Sequence, residues 1–347
     1  MLQNIKDSKV IMGREACVNT EDAHTERGYA LMRIKNLVVG TRVKLDLQVI
    51  QSSIRLTKAK KQYVDLVLFD GMDKISAKYW DWPHSSKPKP NSVVTLEAEV
   101  GEWAGNKQLT VSSMIASNRR PEEFAPKGNF DIDEYRAKLD ILLYGMENKV
   151  LNELVTNIFS DYRDRWDTVP GAAGVHHAYL AGTFQHSVDA AVIAKAIATN
   201  VNGCNIDLCV AGALLHDVGK LLVYELDGSV INYTDYGHLL EHVVGGIVIL
   251  DRYRTEENSE LITLLQHIIA SHHGKQEYGS PVTPKFLEAW IVSYADDIDA
   301  KSNIFERINR GCENKYTEKE WTLNNSAMLS QRYIEEVMNV DVVTENA

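Results

Sequence analysis

From position 42 onward apolar and polar side chains alternate: Val43, Leu45, Leu47 and Val49 are interleaved with Arg42, Lys44, Asp46 and Gln48. A period of two marks a half-buried strand. The same reading predicts strands over 42–50, 63–70, 74–80, 93–100 and 108–113, separated by the turn formers Asp70-Gly71, Pro88-Lys89-Pro90-Asn91 and Gly105-Asn106. Short strands with no long helix between them predict a small all-β barrel or sandwich over 29–115, for which the OB-fold is the natural candidate. Residues 116–131 (ASNRRPEEFAPKGNFD) are rich in Pro, Gly and charge and lack an apolar period, as expected of a linker. The spacing then changes. Leu139, Leu142, Leu143, Met146, Val150, Leu151, Leu154 and Val155 recur at helical intervals, as do residues 184–197, so 132–347 is expected to be an all-α domain with helices to about residue 334. Residues 1–28 are polar and without pattern, and are expected to form an arm. The expected fold class is therefore multidomain, a small all-β barrel followed by an all-α domain.

Composition (44% hydrophobic, 24% charged, 347 residues) is that of an ordinary globular chain with room for two cores. The longest apolar run, 243–250, is too short to span a bilayer. The opening MLQNIKDSKV lacks the basic-then-apolar layout of a signal peptide, so a cytoplasmic protein is expected. Cys17, Cys204, Cys209 and Cys312 form no C-x-x-C pair, which speaks for reduced structural thiols rather than a thiolate zinc site. Net charge is −11, which taken alone argues against a polyanionic partner. Its distribution changes that. Residues 29–115 hold 13 Lys/Arg against 8 Asp/Glu (+5), and residues 132–347 hold 17 against 32 (−15). A basic front half joined to an acidic, histidine-rich back half points to a binding module attached to a metal site.

Nine of the 11 histidines lie between His176 and His273. The apolar run Ala211-Gly212-Ala213-Leu214-Leu215 leads into His216-Asp217-Val218-Gly219-Lys220, so an apolar helix is expected to deliver an imidazole and a carboxylate together, with an ammonium one turn on. A buried adjacent His-Asp pair is costly unless paired or metallated. Neighbouring helical residues point about 100° apart, so other helices must complete any coordination shell. His186, His242, His272, His273 and Asp296 are available, with His238 an alternative one turn before His242. Imidazole and carboxylate donors suit Mn²⁺, Fe²⁺, Zn²⁺ or similar ions. Such an ion lowers the pKa of bound water and neutralises phosphoryl oxygens, and Lys220 would add charge beside a phosphate. His24, His84 and His267 are read as ordinary core or surface residues.

The order H…HD…H…HH…D resembles the HD superfamily of metal-dependent phosphohydrolases. The longer strings HHAYLAG (176–182), AGALLHDVGK (211–220), SHHG (271–274), GSPVTP (279–284), EAW (288–290) and YADDIDA (294–300) resemble the YhaM family of 3′→5′ exoribonucleases, over roughly residues 30–325. The resemblance implies an N-terminal OB-fold before an HD domain. It also implies His186, His216, Asp217, His242, His272 and Asp296 as metal ligands, His273 as an alternative or additional one, and His177 and Lys220 at the scissile phosphate. Asp217, Lys220 and His177 are thus the expected catalytic residues. The implied cofactor is a divalent metal, one or two ions, with Mn²⁺ the usual one and Fe²⁺, Co²⁺ or Zn²⁺ compatible; the implied products are nucleoside 5′-monophosphates. One departure is Gln185, where the family carries an acidic residue before the histidine.

In the front domain Tyr63, Phe69, Tyr79, Trp80, Trp82 and Trp103 are candidates for stacking on bases, Tyr79 being expected in the core. Arg55, Lys58, Lys60 and Lys61 form a basic loop, and with Trp80 and Trp82 they are the expected nucleic-acid contacts. The expected partner is single-stranded RNA, with single-stranded DNA and a homo-oligomer left open and no membrane. Two alternatives stand beside this reading: an HD-type phosphohydrolase of small nucleotides, and a non-catalytic nucleic-acid-binding protein.

Overall fold

The computed structural model describes residues 33–82 and 87–339; the expected arm, Cys17, His24 and His84 lie outside them. Five strands, β1 (Arg42–Leu56), β2 (Gln62–Phe69), β3 (Lys74–Tyr79), β4 (Val93–Trp103) and β5 (Asn106–Ala116), close into a barrel in the order β1-β2-β3-β5-β4. The pairings are antiparallel except β3 with β5. A break in register between Val49 and Gln51 bends β1, so its first half pairs with β4 and its second with β2. Strand alternation supplies the filling: Val43, Leu45, Leu47, Val64, Leu66 and Leu96 are buried in one core. The barrel is an OB-like unit, as the alternation predicts.

The connecting stretch is less loose than its composition implies. Ala116 ends β5, residues 121–124 form a short 3₁₀ turn, and Phe124 is buried beneath the Arg119 guanidinium. Lys127 then bridges to Leu180 in the second domain.

That domain is built on helices: α1 (Ile132–Tyr144), α2 (Lys149–Asp161), α3 (Arg163–Trp166), α4 (Gly182–Thr199), α5 (Ile206–Leu215), α6 (Lys220–Val223), α7 (Asp235–Asp251), α8 (Ser259–Ser271), α9 (Leu287–Asn309) and α10 (Gln331–Met338). Side-chain caps mark several starts: Asp131, Asn148, Asn205 and Thr234 each accept from a backbone N–H of the first turn. Helix α5 is buried along almost its whole length, and α4, α8 and α9 pack on it. Two hairpins that helical periodicity does not predict interrupt the helices: β6 (Tyr224–Asp227) with β7 (Val230–Tyr233), and β8 (Tyr316–Glu320) with β9 (Ser326–Leu329). The tip of the first reaches the barrel, where the Ser229 hydroxyl donates to the buried Gln48 side chain, whose amide in turn donates to Asn91. Among the described residues no helix is long and apolar enough to cross a membrane.

Candidate metal centre

Helix α5 stops at Leu215, one residue before the His-Asp pair. His216 and Asp217 therefore occupy the turn between α5 and α6 rather than a helix interior. The turn is held down by Gly219, where a Cβ would stand 1.8 Å from the His242 carbonyl oxygen and 2.4 Å from the Gly246 nitrogen. Only glycine lets α7 approach this closely, and that approach brings His242 to Asp217. His242 itself follows Glu241, whose φ of 59° and ψ of 172° break α7 and re-aim the chain. His186 comes from the first turns of α4, His272 and His273 from the end of α8, and Asp296 from α9.

Asp217 stands between two groups of nitrogen donors. Its Oδ2 lies 3.3 Å from Nε2 of both His186 and His216 and accepts from the Lys220 ammonium at 2.6 Å. Its Oδ1 faces Nε2 of His242 and of His272, each at 3.7 Å. Asp296 joins the first group, 3.2 Å from Nε2 of His186. His273 joins the second, its ring centroid 4.0 Å from that of His272.

Backbone carbonyls fix the tautomers. Nδ1 of His216 lies 2.7 Å from the Ala213 oxygen, and Nδ1 of His272 lies 2.7 Å from the Ile269 oxygen. A carbonyl only accepts, so each Nδ1 carries the hydrogen and each Nε2 turns a lone pair toward Asp217. Asp299 orients His186, its Oδ2 accepting from Nδ1 at 2.6 Å.

Burial alone would raise the Asp217 carboxyl, but the Lys220 ammonium and the imidazoles of His216 and His186 outweigh it and hold its pKa well below the ordinary range. Burial is likewise outweighed at Asp296, chiefly by the hydrogen bond from His186, and at Asp299 by those from His177 and His186. Burial pushes His242 down to about 4 and His272 well below the usual imidazole range. At His186 burial opposes charge, but Asp217, Asp296 and Asp299 favour it more and raise the pKa well above the ordinary value.

Do these residues fit a divalent cation? Among the described residues Oδ1 of Asp217, Nε2 of His242 and Nδ1 of His273 are solvent-inaccessible and without a hydrogen-bond partner. An unsatisfied buried polar atom costs about 1–3 kcal/mol, more when charged. Within each of the groups His186-His216-Asp217 and His242-His272-His273 the donor atoms lie within 4.8 Å of one another. Lone pairs, ionised carboxylates and orphaned acceptors converging on one place are the donor set of a metal site. They fit. The centre opens on a cavity of about 670 Å³ whose wall includes Asp217, Lys220, His242, His272, His273 and Asp296.

One expected residue is placed differently. His177 is 2% exposed, with Nδ1 engaged by the Tyr179 hydroxyl and Nε2 by Asp299, both at 2.8 Å. Its backbone takes a φ of 47°, its N–H donates to Asn303, and the close approach of Gly182 pins it from below. It props Asp299 from behind, and its neighbour His176 lines the cavity in its place. Burial lowers His176 to about 3, so its ring is neutral. Lys220 does line the cavity, but paired to Asp217. Gln185 bonds Tyr179, Tyr135 and Asp189, away from the centre. His238 is exposed and stacks on Tyr233, and His267 accepts from the Lys285 N–H. Asp299 escaped the sequence reading, although it sits one turn after Asp296 in the same acidic string.

The nucleic-acid candidates lie on the barrel, apart from the centre. Lys58 and Lys60 are exposed in the β1–β2 turn. Arg55, on β1, pairs with Asp65 at 3.0 Å, and Lys61 pairs with Asp81. Trp80 is exposed and lies 4.7 Å from the Tyr63 ring, with the unanticipated Lys78 ammonium over both rings. Trp82 packs edge-on against Tyr79, which is half-buried against the barrel core as expected.

The HD domain profile matches residues 183–301. The curated 3′-5′ exoribonuclease YhaM of Bacillus licheniformis is 30% identical over 299 residues, covering 83% of this chain and 94% of that protein. The chain belongs to the YhaM family. The YhaM proteins of Bacillus subtilis and of a Geobacillus strain are 31% and 29% identical, over 83% of this chain and 94% and 91% of theirs. The YhaM relatives thus run almost end to end with a chain whose barrel precedes its HD domain, and the HD match implies dependence on a divalent metal.

Proposed function

We propose that the chain is a cytoplasmic, metal-dependent 3′→5′ exoribonuclease that releases nucleoside 5′-monophosphates from single-stranded RNA. One observation carries the reading: Asp217, its two oxygens turned to two groups of imidazoles, stands in the wall of an open cavity beside Lys220. In this reading His186, His216, Asp217 and Asp296, together with His242, His272 and His273, would hold the divalent metal. Mn²⁺ is the expected ion. Bound there, a divalent cation supplies a water of lowered pKa and neutralises phosphoryl oxygens.

The chain's own residues do the rest. Asp217 is kept ionised by Lys220, so the pair brings a fixed local charge rather than a free one. His176, neutral on the cavity wall, contributes a hydrogen bond rather than a charge. Hydrolysis forms a bond from water oxygen to the phosphorus of the terminal linkage and breaks the bond to the preceding 3′ oxygen, which departs with a proton. The barrel holds the strand upstream through Lys58, Lys60, Lys78, Tyr63 and Trp80, a basic surface with stacking rings that takes any sequence.

The test offers purified protein and Mn²⁺ a 5′-labelled single-stranded RNA, the matched DNA and a nucleotide panel. A ladder that shortens from the 3′ end is expected, with preference for RNA. Asp217→Ala should abolish release and leave strand binding intact. Digestion at the wild-type rate by that variant sinks the assignment, and turnover of nucleotides alone points to a small-nucleotide hydrolase.

A further inference from the structure

The cavity has a second wall that the metal chemistry does not use. On α9, Trp290 is 40% exposed and Tyr294, one turn on, is 58% exposed; their rings lie 5.8 Å apart with planes 26° from parallel. Tyr278 is 63% exposed, with the Lys275 ammonium 5.2 Å from its ring centroid. All three rings line the same cavity as Asp217 and Asp296. None belongs to the core, so packing does not account for them.

Helix geometry sets their distance from the centre. Trp290 and Tyr294 share one edge of α9, Asp296 lies on the opposite edge of the arc that faces the cavity, and Ser293, Asp297 and Ala300 lie between. The two edges are separated by roughly a helix diameter, about 10 Å. That matches the span of one nucleotide from phosphate to the far side of its base. The two lysines at the rim are already paired, Lys301 with Asp297 at 2.5 Å and Lys275 with Glu277 at 3.6 Å. What the rim offers to a ligand is therefore π surface, which every base has and which does not read sequence.

We infer that Trp290, Tyr294 and Tyr278 form a stacking platform for the bases at the 3′ end of single-stranded RNA, beside the linkage to be cut. The inference rests on the exonuclease reading above for its substrate. The platform aligns the strand end by its terminal bases, whatever their identity.

The test compares wild type, Trp290→Ala, Tyr294→Ala and the double variant, as full-length protein with Mn²⁺. The substrates are an RNA oligonucleotide and the same oligonucleotide with its last two residues abasic. Each ring removed should lower kcat/KM on normal RNA by about 10-fold, the scale of one lost stacking contact. Wild type should lose a similar factor on the abasic end, to which the double variant should be indifferent. Equal abasic penalties in wild type and double variant overturn the platform. So does an unchanged rate accompanied by an altered sedimentation coefficient, which would make this face a contact between copies. A binding measurement decides the matter independently of cleavage. In a Trp80→Phe background, which removes the barrel's stacking tryptophan, oligoadenylate should quench a clear fraction of the tryptophan fluorescence, and that fraction should fall markedly when Trp290→Ala is added. If wild type cleaves nothing, the exonuclease reading fails; a fractional quench in the Trp80→Phe background that Trp290→Ala leaves undiminished overturns the platform itself.

Discussion

One carboxylate oxygen, Oδ2 of Asp299, accepts from two histidines, Nδ1 of His186 at 2.6 Å and Nε2 of His177 at 2.8 Å. It thereby holds a hydrogen on Nδ1 of His186 and turns Nε2 toward Asp217, Asp296 and His216. Partners of this kind raise the basicity of a ligating imidazole and lock its ring orientation. In Asp299→Asn the amide keeps a similar shape but loses the charge, and its NH₂ competes for the same histidines. Affinity for Mn²⁺ should fall by about 10- to 100-fold, read by calorimetric titration of the metal alone, with the circular dichroism spectrum unchanged. Unchanged affinity would show that His186 is oriented by its helix and not by Asp299. The case also shows what kind of residue a sequence hides. His216, Asp217, His242 and Asp296 were readable because their types and order are unusual in apolar surroundings. Asp299 and His176 were not, because exposure and partners decided their roles: of the two adjacent histidines the left-handed backbone at His177 buries one and leaves the other on the cavity.

Elements carry information of a different range. Strands β1 to β5 were legible because alternation is local: each inward residue, such as Leu45 or Leu96, announces its face by itself. The parallel pairing of β3 with β5, and the register break that lets β1 join two neighbours, involve residues far apart in sequence. Helical spacing likewise gave the helices but not their ends, so His216 and Asp217 were expected within α5 rather than after it. Strands β6 and β7 are too short for a period, and their only signal is the two-residue turn Gly228-Ser229. The break in α7 has no sequence signal at all, since Glu241 is an ordinary helix former held where glycine belongs. Non-glycine residues in such conformations carry about 1–3 kcal/mol of strain. Glu241→Gly should relieve it and, after the entropy that glycine loses on folding, raise stability by about 1 kcal/mol. Urea denaturation measures the difference. A less stable variant would mean that the Glu241 carboxylate, 3.6 Å from Nδ1 of His242, contributes more than the strain takes away.

At the scale of the whole molecule the question is how the barrel and the centre act on one strand. The β6–β7 hairpin is the physical link. Its base supplies Tyr224 and Tyr233 to the cavity wall, and its tip touches the barrel through Ser229 and Gln48. Gly228, at φ 64°, is wedged in that contact: a Cβ there would stand 2.4 Å from Oδ1 of Asn91 and 2.7 Å from the Pro121 side chain. Valine at 228 meets both and adds the strain of a β-branched residue at positive φ, so the tip must lift off the barrel. The centre's ligands come from α4, the turn after α5, α7, the end of α8 and α9, and do not pass through the tip. Freed from its seat, the barrel would hold an RNA strand without presenting its 3′ end, and the gain from two linked sites would be lost. Gly228→Val should therefore lower kcat/KM on a 20-residue RNA on the order of 10²-fold, the lower end of what linking two sites confers. A dinucleotide, too short to touch the barrel, should be cleaved at the wild-type rate. Equal losses on both substrates would place the damage in the cavity wall at Tyr224 and Tyr233. No loss on either would mean that the hairpin is a structural brace and that the strand reaches the centre without help from the barrel's position.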